Sequence, residues 1–396
     1  MLVLVLMGLS MYLATVLPVF SPRLQEYFKI TNRQLGTLFG CLSVGSLVAL
    51  PFVTPAVAWL GTRRVVQIAA TAMGAGFVLC SLSRRLVFFE ASLVVSGAFG
   101  AALGIAVMSL LVGLYPAWKR RMLAIAGVSY HLSSIIFPLL AQYLLSVASE
   151  GQGTAFAVVL HLPFAIIGVM LVGGGLLVGA VHCNDAPSQI GEHGPAQLHN
   201  LLSRSTLLIV FLAGLHAGSD GALYGWMPKY MTASFEHLPL SPGVVLALCA
   251  IGYVIARSLL AALPEGAGQR AFLTLAGPLG GLLILGTIWR GNAIQVGLLY
   301  PLAGFMWCLE YPSLLSEIES RSEAHFSTVL IGASIVGSLL TFVQLNIVGW
   351  VADRTGSLRW AMTPAALGFV AFGLVAAISG LGKRAVEPPE PPLRLN

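Results

Sequence analysis

A few ionisable side chains of this 396-residue chain lie inside long apolar stretches, where a charge is unfavourable. A charged group at the centre of a hydrocarbon layer costs about 3 kcal/mol or more on insertion scales. Such a group therefore faces a cavity, pairs with another group or is held neutral. The residues concerned are Glu90, His131, His161, His216, Asp220, Arg257 and Glu310. They are the first candidates for a functional site.

His216 and Asp220 stand four residues apart, so on a helix they share one face. Such a pair can exchange a proton near neutral pH, because the imidazole ring titrates there. The alternative is a fixed hydrogen-bonded pair that ties this helix to a neighbour. The surrounding glycines permit either a partly broken helix beside a cavity or close helix packing. These glycines are Gly214, Gly218, Gly221 and Gly225.

Glu310 is followed by Tyr311 and Pro312. Proline has no N–H and interrupts the helical hydrogen bonds one turn earlier, so we predict a kink that turns Glu310 towards a cavity. The alternative for Glu310 is a structural pair with Arg257 or with a tyrosine. For Arg257 we expect a structural ion pair, and the alternative is a bidentate contact to an anionic substrate.

Further polar and aromatic side chains in these stretches suit a neutral polar or amphipathic solute. We expect His131 to form a hydrogen bond between helices, and it is also a candidate for substrate or proton binding. The five cysteines are isolated, and no spacing of His, Cys, Asp or Glu indicates a metal site. The remaining candidates for the solute-binding surface are Tyr12, Trp226, Trp307 and Gln344.

The composition places these residues in a membrane protein. Of all residues, 57% are hydrophobic and only 9% are charged, whereas a soluble domain has about 25% charged residues. The net charge of +6 comes largely from basic residues in short loops. That distribution is typical of topological anchoring and does not indicate nucleic-acid binding. Membrane lipid is the expected surrounding of most of the chain.

Twelve stretches are long and apolar enough to cross a bilayer, which takes about 20 helical residues. The polar segment 182–205 separates six of them from the other six. We therefore predict an all-α integral membrane protein with an N-terminal six-helix bundle (1–181), a cytoplasmic linker (182–205), a C-terminal six-helix bundle (206–382) and a cytoplasmic tail (383–396). The predicted spans are 2–21, 34–60, 64–82, 87–115, 121–147, 154–181, 206–231, 242–263, 271–289, 293–316, 326–351 and 358–380.

Basic residues in the loops indicate the orientation. An even number of spans puts both termini on one side, and Lys and Arg prefer the cytoplasmic side. The clusters Arg63–Arg64 and Lys119–Arg121 fall on the same side as the termini. We therefore expect the termini and the linker in the cytoplasm and the protein in the inner (plasma) membrane.

Motifs of common catalytic sites are absent from the sequence. There is no Walker A sequence, no Gly-rich dinucleotide turn, no HExxH and no GxSxG. We therefore expect neither an enzyme nor a bound cofactor. A non-transporting sensor built on a transporter fold is an alternative, but it would normally add a soluble domain, for which the linker and the tail are too short.

Three loops share a pattern of glycine and charge. They read TPAVAWLGTRR after the second span, LPEGAGQR after the eighth and GWVADRTGSLRW after the eleventh. This pattern resembles the loops of the major facilitator superfamily, although Thr54 and Ala58 stand in place of its first glycine and its aspartate. The matching residues are Gly61, Arg63, Arg64, Glu265, Gly268, Arg270, Gly349, Asp353, Arg354 and Gly356.

The superfamily resemblance implies two pseudo-symmetric six-helix bundles that rock around a central site. It also implies that the loop residues form gates between the bundles. In that superfamily the aspartate at the position of Ala58 holds the end of helix 11, so we expect Glu265 to carry more of this latch here. The residues expected to gate are Gly61, Arg63, Arg64, Glu265, Arg270, Asp353 and Arg354.

A narrower resemblance is confined to the C-terminal half. Span 7 reads HAGSDGALYGWMPKY, span 8 GYVIARSL and span 10 GFMWCLEYPSLLS. These are similar to the fucose:proton symporter family, with His216 in place of its tyrosine and Ala256 in place of its glycine. The acids of that family in spans 1 and 4 are absent. The matching residues are Asp220, Trp226, Pro228, Tyr230, Arg257, Gly304, Pro312 and Leu314.

We therefore expect a monomeric secondary transporter of a small polar solute, such as a sugar or a related metabolite. Because the N-terminal acids of the family are missing, we expect any proton coupling to run through His216, Asp220 and Glu310. The alternatives are facilitated diffusion without coupling, and export of an amphipathic compound or of an organic anion bound by Arg257.

Overall fold

The fold consists of membrane-length helices. The computed structural model describes residues 1–115, 119–149, 154–180, 203–263, 267–321 and 326–382. Within these ranges all regular structure is helical, and twelve stretches are long and apolar enough to span a bilayer, which confirms the predicted all-α fold. In chain order the helices are α1 (Leu2–Ser10 and Tyr12–Phe28), α2 (Asn32–Leu60), α3 (Thr62–Leu82), α4 (Leu86–Leu114), α5 (Lys119–Ser149), α6 (Thr154–Ala180), α7 (Arg204–Ser234), α8 (Pro242–Ala262), α9 (Gln269–Ala271, Phe272–Ala276 and Gly277–Arg290), α10 (Ala293–Cys308 and Glu310–Arg321), α11 (Phe326–Thr355) and α12 (Leu358–Ser379).

The first helix is longer than the sequence predicts. It continues to Phe28, whereas the predicted span ends at residue 21. Pro22 lies inside the helix, and Leu24 beyond it is fully buried, so packing holds the last turns in place. Hydropathy marks where the apolar part ends, but the helix goes on as far as its side chains find a packing partner.

Three of the helices are interrupted within the part of the chain that the structure describes. α10 breaks at Leu309, because Pro312 has no N–H to donate to the carbonyl of Cys308. This confirms the kink predicted there. α1 breaks at Met11, and α9 contains a π-helical segment, Phe272–Ala276, of the kind often found at functional sites. Two of the three interruptions lie in the C-terminal half.

The helices form two bundles that meet along three helix pairs. In the N-terminal half α3 packs against α4 and α6, and in the C-terminal half α9 packs against α10 and α12. Between the halves, α11 lies against α2, α5 against α8, and α1 against α7. Residues 181–202 and 383–396, which include most of the predicted linker and the whole tail, lie outside the described residues.

Polar contacts join the two halves at the end of the molecule where α1, α7 and α11 finish and α2 begins. The backbone N–H groups of Asn32 and Arg33 donate to the two carboxylate oxygens of Asp353, at 3.0 and 2.8 Å. A carboxylate is stabilised at a helix N-terminus, because unpaired N–H groups and the helix dipole both favour an anion there. The ammonium group of Lys229 donates to the side-chain oxygens of Gln25 and Asn32. We call this region the sealed end.

Candidate functional site

A cavity of about 610 Å³ lies between the two halves. Its N-terminal wall is mainly apolar and includes Met7, Met11, Phe39, Leu42 and Met108. Its C-terminal wall carries most of the ionisable and aromatic groups. These are His216, Asp220, Tyr224, Tyr253, Arg257, Trp307 and Tyr311.

The cavity runs away from the sealed end. It follows α1 from Pro18 back to Met7 and follows α11 from Leu345 back to Ala333. At 1.5 Å per residue the stretch along α1 is roughly 16 Å long. With the polar contacts of the sealed end at one side, this shape leaves the opposite side, where α1 begins and α12 ends, as the direction of access.

His216 pairs with Glu310. The Nδ1 atom of His216 lies 2.9 Å from the Oε2 atom of Glu310, and the glutamate is fully buried. The expectation that His216 pairs with Asp220 is therefore wrong, as is the expectation that Glu310 faces the cavity. The break at Leu309 places Glu310 at the start of the second segment of α10, where it reaches α7. The cavity then contacts His216, and Glu310 lies behind it.

A glycine on α9 makes room for the Glu310 carboxylate. A Cβ atom placed on Gly277 would overlap that carboxylate. Gly277 directly follows the π-helical segment Phe272–Ala276. The carboxylate thus occupies a space created by two interrupted helices, α9 and α10, and by a residue without a side chain.

Asp220 has partners of its own. Its Oδ1 atom accepts hydrogen bonds from the hydroxyl of Tyr253 and from Nε1 of Trp307, the latter at 3.0 Å. Trp307 stacks on Phe369 at a centroid distance of 4.4 Å, which fixes the position of its indole N–H. Asp220 lines the cavity, so an anchored carboxylate faces the solute space.

Arg257 also lines the cavity but has no ion-pair partner within the described part of the chain. The expected structural ion pair is therefore wrong, including the alternative pair between Arg257 and Glu310. Its Nε atom is buried without a hydrogen-bond partner. On the N-terminal half it faces Gly127, where a Cβ atom would lie 3.6 Å from Nη1.

His131 reaches the cavity from α5. Its ring lies 5.7 Å from that of Tyr253 in an edge-on arrangement, and 5.2 Å from that of its neighbour Tyr130. Both ring nitrogens are buried without a hydrogen-bond partner among the residues described. The expected hydrogen bond between helices is therefore wrong, and the link between α5 and α8 at this level is an aromatic contact.

Three predicted surface residues lie behind the cavity wall, which corrects their expected placement. Tyr12 is buried against Phe137 and Phe164, at centroid distances of 5.1 and 5.5 Å. Trp226 and Gln344 also stand away from the wall, with Trp226 packed on a phenylalanine of α2 and Gln344 hydrogen-bonded within the C-terminal half. Apolar patterning could not show which face of each helix points inward.

Of the predicted gating residues, Asp353 is the one whose described contacts cross between the halves. Arg63 donates to the carbonyl oxygens of Val178 and Gly179 and so caps the C-terminus of α6 within its own half. Gly61 ends α2 with a φ of 82°. Arg64 and Arg270 are exposed, and Arg354 lies over the ring of Trp350 at 5.6 Å.

Glu265 lies outside the described residues. The latch expected of it at the end of the molecule opposite the sealed end stays a prediction. Glu265→Gln should slow transport more than Ala58→Asp, and equal, negligible effects would contradict it.

Sequence reasoning missed several residues of the site. Tyr253 lies four residues before Arg257 on α8, so helical spacing from a recognised candidate could have found it. Tyr130, beside His131, could have been found in the same way. Nothing in the sequence marks Gly277, because its role depends on the approach of another helix.

Within the described residues, twelve membrane-length helices form two bundles around a cavity with one apolar and one more polar wall, which is the architecture of a membrane transporter. Residues 1–332 match the Major Facilitator Superfamily. The chain belongs to this superfamily and is a multi-pass membrane protein. The family is one of transporters, and nothing in the match indicates an enzyme.

Solved structures of the same fold are distant in sequence. An inward-open xylose transporter, XylE from E. coli, is 12% identical with a TM-score of 0.73, over 95% of this chain and 94% of that chain. A D-xylose-proton symporter is also 12% identical with a TM-score of 0.73, and the match covers 95% of this chain and 96% of that chain. The third structure is a bacterial homologue of the human lysosomal transporter Spinster in an inward-facing and occupied conformation. It is 12% identical with a TM-score of 0.68, and the match covers 96% of this chain and 94% of that chain. No curated protein matches the chain.

Proposed function

We propose that the protein is a secondary transporter that moves a small polar solute across the membrane by alternating access. The cavity between the two halves carries this proposal, because it is about 610 Å³, joins polar groups to an apolar wall and is bounded by the sealed end. Such a volume is typical of a small-molecule site. Rocking of one bundle against the other would open the sealed end and close the opposite one.

The solute class has two candidates. A sugar is supported by the xylose transporters of the same fold and by the resemblance of α7, α8 and α10 to the fucose:proton symporter family. An organic anion, taken up or exported, is supported by the guanidinium of Arg257 in the cavity wall, which forms no ion pair among the described residues.

Proton coupling, where present, would use the C-terminal half. His216 contacts both the cavity and Glu310, and Asp220 faces the solute directly. A carboxylate that a moving bundle alternately exposes to water and buries binds its proton with different affinity in the two states. By linkage, a proton that favours the loaded state must itself bind better when the solute is present.

The orientation follows the basic loops. We propose a monomer in the inner (plasma) membrane, surrounded by lipid, with both termini and the linker 182–205 in the cytoplasm. The sealed end is then external and the cavity faces inward. A cysteine placed in the linker should resist an impermeant reagent added to intact cells, and efficient labelling would overturn this topology.

The experiment that tests the function is transport by the purified protein in lipid vesicles. Vesicles would be loaded with unlabelled D-xylose or benzoate, and the entry of the labelled compound would be followed as counterflow. Counterflow of either compound that empty vesicles do not show would support the proposal. A thermal-shift screen against sugars, acids and drugs would widen the choice of solutes, and a protein that gave no counterflow with any stabilising compound would not be a transporter.

A further inference from the structure

We infer that the cavity holds a carboxylate-binding subsite formed by Arg257, and that the solute is an amphipathic organic anion. The inference rests on the proposed function, because it assigns a chemical class to the solute of the same cavity. It starts from a contrast between the two charged side chains of the C-terminal wall, Asp220 and Arg257.

The negative charge of Asp220 already has partners. Tyr253 and Trp307 both donate to its Oδ1 atom, and the stacking of Trp307 on Phe369 holds one of these donors in place. An anion with two donors of this kind is compensated within the protein. Asp220 therefore does not demand a cationic group from the solute.

The guanidinium of Arg257 is compensated less fully. Asp220 attracts it and the sulfur of Cys308 lies within its reach, but neither contact is an ion pair. No described carboxylate forms an ion pair with it, and its Nε atom is buried without a hydrogen-bond partner. A buried N–H donor without a partner is unfavourable, and the donors of a guanidinium group are arranged to fit a carboxylate. An anionic solute would supply the missing acceptors.

The space around the guanidinium permits that contact. Arg257 faces the backbone of Gly127, so no side chain at that position of α5 stands between it and the opposite half. Both residues line the cavity. A carboxylate bound here would touch both bundles, which is the position from which a solute can favour one arrangement of the two over another.

The opposite wall indicates the rest of the solute. Met7, Met11, Leu42 and Met108 present an apolar and adaptable surface from α1, α2 and α4. Methionine side chains fit varied apolar shapes because they are unbranched and polarizable. The solute that matches both walls has a carboxylate at one end and an apolar body at the other.

Binding of benzoate and benzamide, which differ in charge but little in shape, tests the subsite. Calorimetric titration of the purified wild-type protein in detergent should show benzoate binding, and benzamide should bind about 10- to 100-fold more weakly. Arg257→Gln should lose benzoate binding to the same degree, Arg257→Lys should lose less, and Arg290→Gln should bind as the wild type does. Arg290 is a matched control because it is exposed at the end of α9, away from the cavity.

Three results would overturn the inference. They are equal binding of benzoate and benzamide by the wild type, full benzoate binding by a folded Arg257→Gln variant, and binding of D-xylose without any binding of benzoate. The wild-type comparison stands even if the variant does not fold. Benzoate binding without counterflow in vesicles would contradict the transport proposal and support the subsite. Flux of a neutral sugar without benzoate binding would support the transport proposal and contradict the subsite.

Discussion

The two halves of the cavity wall differ in kind. The C-terminal half presents a carboxylate, a guanidinium, an imidazole and several aromatic rings, whereas the N-terminal half presents chiefly methionine and leucine together with one imidazole and a few hydroxyl groups. The same contrast appears in the backbone, since the π-helical segment of α9 and the break in α10 lie together around Glu310. We therefore propose that the two bundles of this fold have unequal tasks, with recognition and any coupling concentrated in one and an adaptable apolar surface in the other.

The largest effect expected from this division is at Asp220 and Glu310. Asp220→Asn should abolish accumulation driven by a pH gradient, giving an accumulation ratio of about 1, while exchange of solute across the membrane continues. The reason is that the amide cannot carry the coupling proton, yet it still accepts a hydrogen bond. Labelled-solute uptake into vesicles with and without a pH gradient measures both properties.

Glu310→Gln is the companion variant, and it should also lose accumulation. If both variants still accumulate solute against its gradient, the coupling groups do not lie in the C-terminal half and the contrast between the halves has no functional meaning. A wild-type protein without any dependence on pH or sodium would be a uniporter, and these residues would then serve structure or solute binding.

The next effect concerns the space that Gly277 leaves for the Glu310 carboxylate. Gly277→Ala should lower stability by about 1–3 kcal/mol, because the added Cβ atom must displace the carboxylate or the helix. Gly286→Ala on the same helix is the matched control, because a Cβ atom there meets nothing within 4 Å. Thermal unfolding in detergent compares the two variants.

A double variant sharpens that test. Combining Gly277→Ala with Glu310→Ala should cost less than the sum of the single changes, since the clash disappears with the carboxylate. Additive losses would show that the alanine at position 277 acts through something other than Glu310. The π-helical segment of α9 and the break in α10 would then not both serve to accommodate the Glu310 carboxylate.

The sequence reveals the fold better than the site. Length and hydropathy place twelve spans, and Pro312 predicts the break in α10, because these depend on local properties. Contacts between helices are not local. Glu310 could have met Arg257, Asp220 or His216 on sequence grounds, and the choice of His216 depends on how α7 and α10 are rotated against each other.

The same limit explains the other corrections. Tyr12 and Trp226 are aromatic residues in a span, like Trp307, but only the indole of Trp307 reaches the cavity. Their helices expose one face to the solute and others to neighbouring helices, and apolar spans show little periodicity by which to tell these faces apart. Asp353 was identified by a loop motif, whereas its partner, the N-terminus of α2, could be found only from the structure.

A smaller effect is expected at the sealed end, where the C-terminal half supplies the carboxylate and the N-terminal half the helix N-terminus. Asp353→Ala should weaken this contact by about 1 kcal/mol, the usual size of a lost N-terminal cap at an exposed position. The sealed end should then open more often, which labelling of a cysteine placed in the cavity from that side would detect. Glu26→Ala is the control, because Glu26 pairs with Arg23 on the same helix at an exposed site and not across the halves. Equal labelling of the two variants would show that Asp353 does not hold the halves together.

The smallest effect is expected at His131, which contributes an imidazole ring to the N-terminal wall of the cavity. Its ring packs edge-on against Tyr253, and neither of its nitrogens has a hydrogen-bond partner in the described structure. His131→Gln removes the imidazole ring but keeps a polar side chain of similar length, so the apparent affinity for the solute should change by less than about tenfold. The pH dependence of uptake should stay as in the wild type, because the groups that we propose for proton coupling lie in the C-terminal half. Uptake measured from pH 5 to pH 8 in vesicles, beside His216→Gln as the matched variant of the C-terminal half, compares the two histidines directly. If His131→Gln flattened the pH profile and His216→Gln did not, proton binding would belong to the N-terminal wall and the division of tasks between the halves would be reversed.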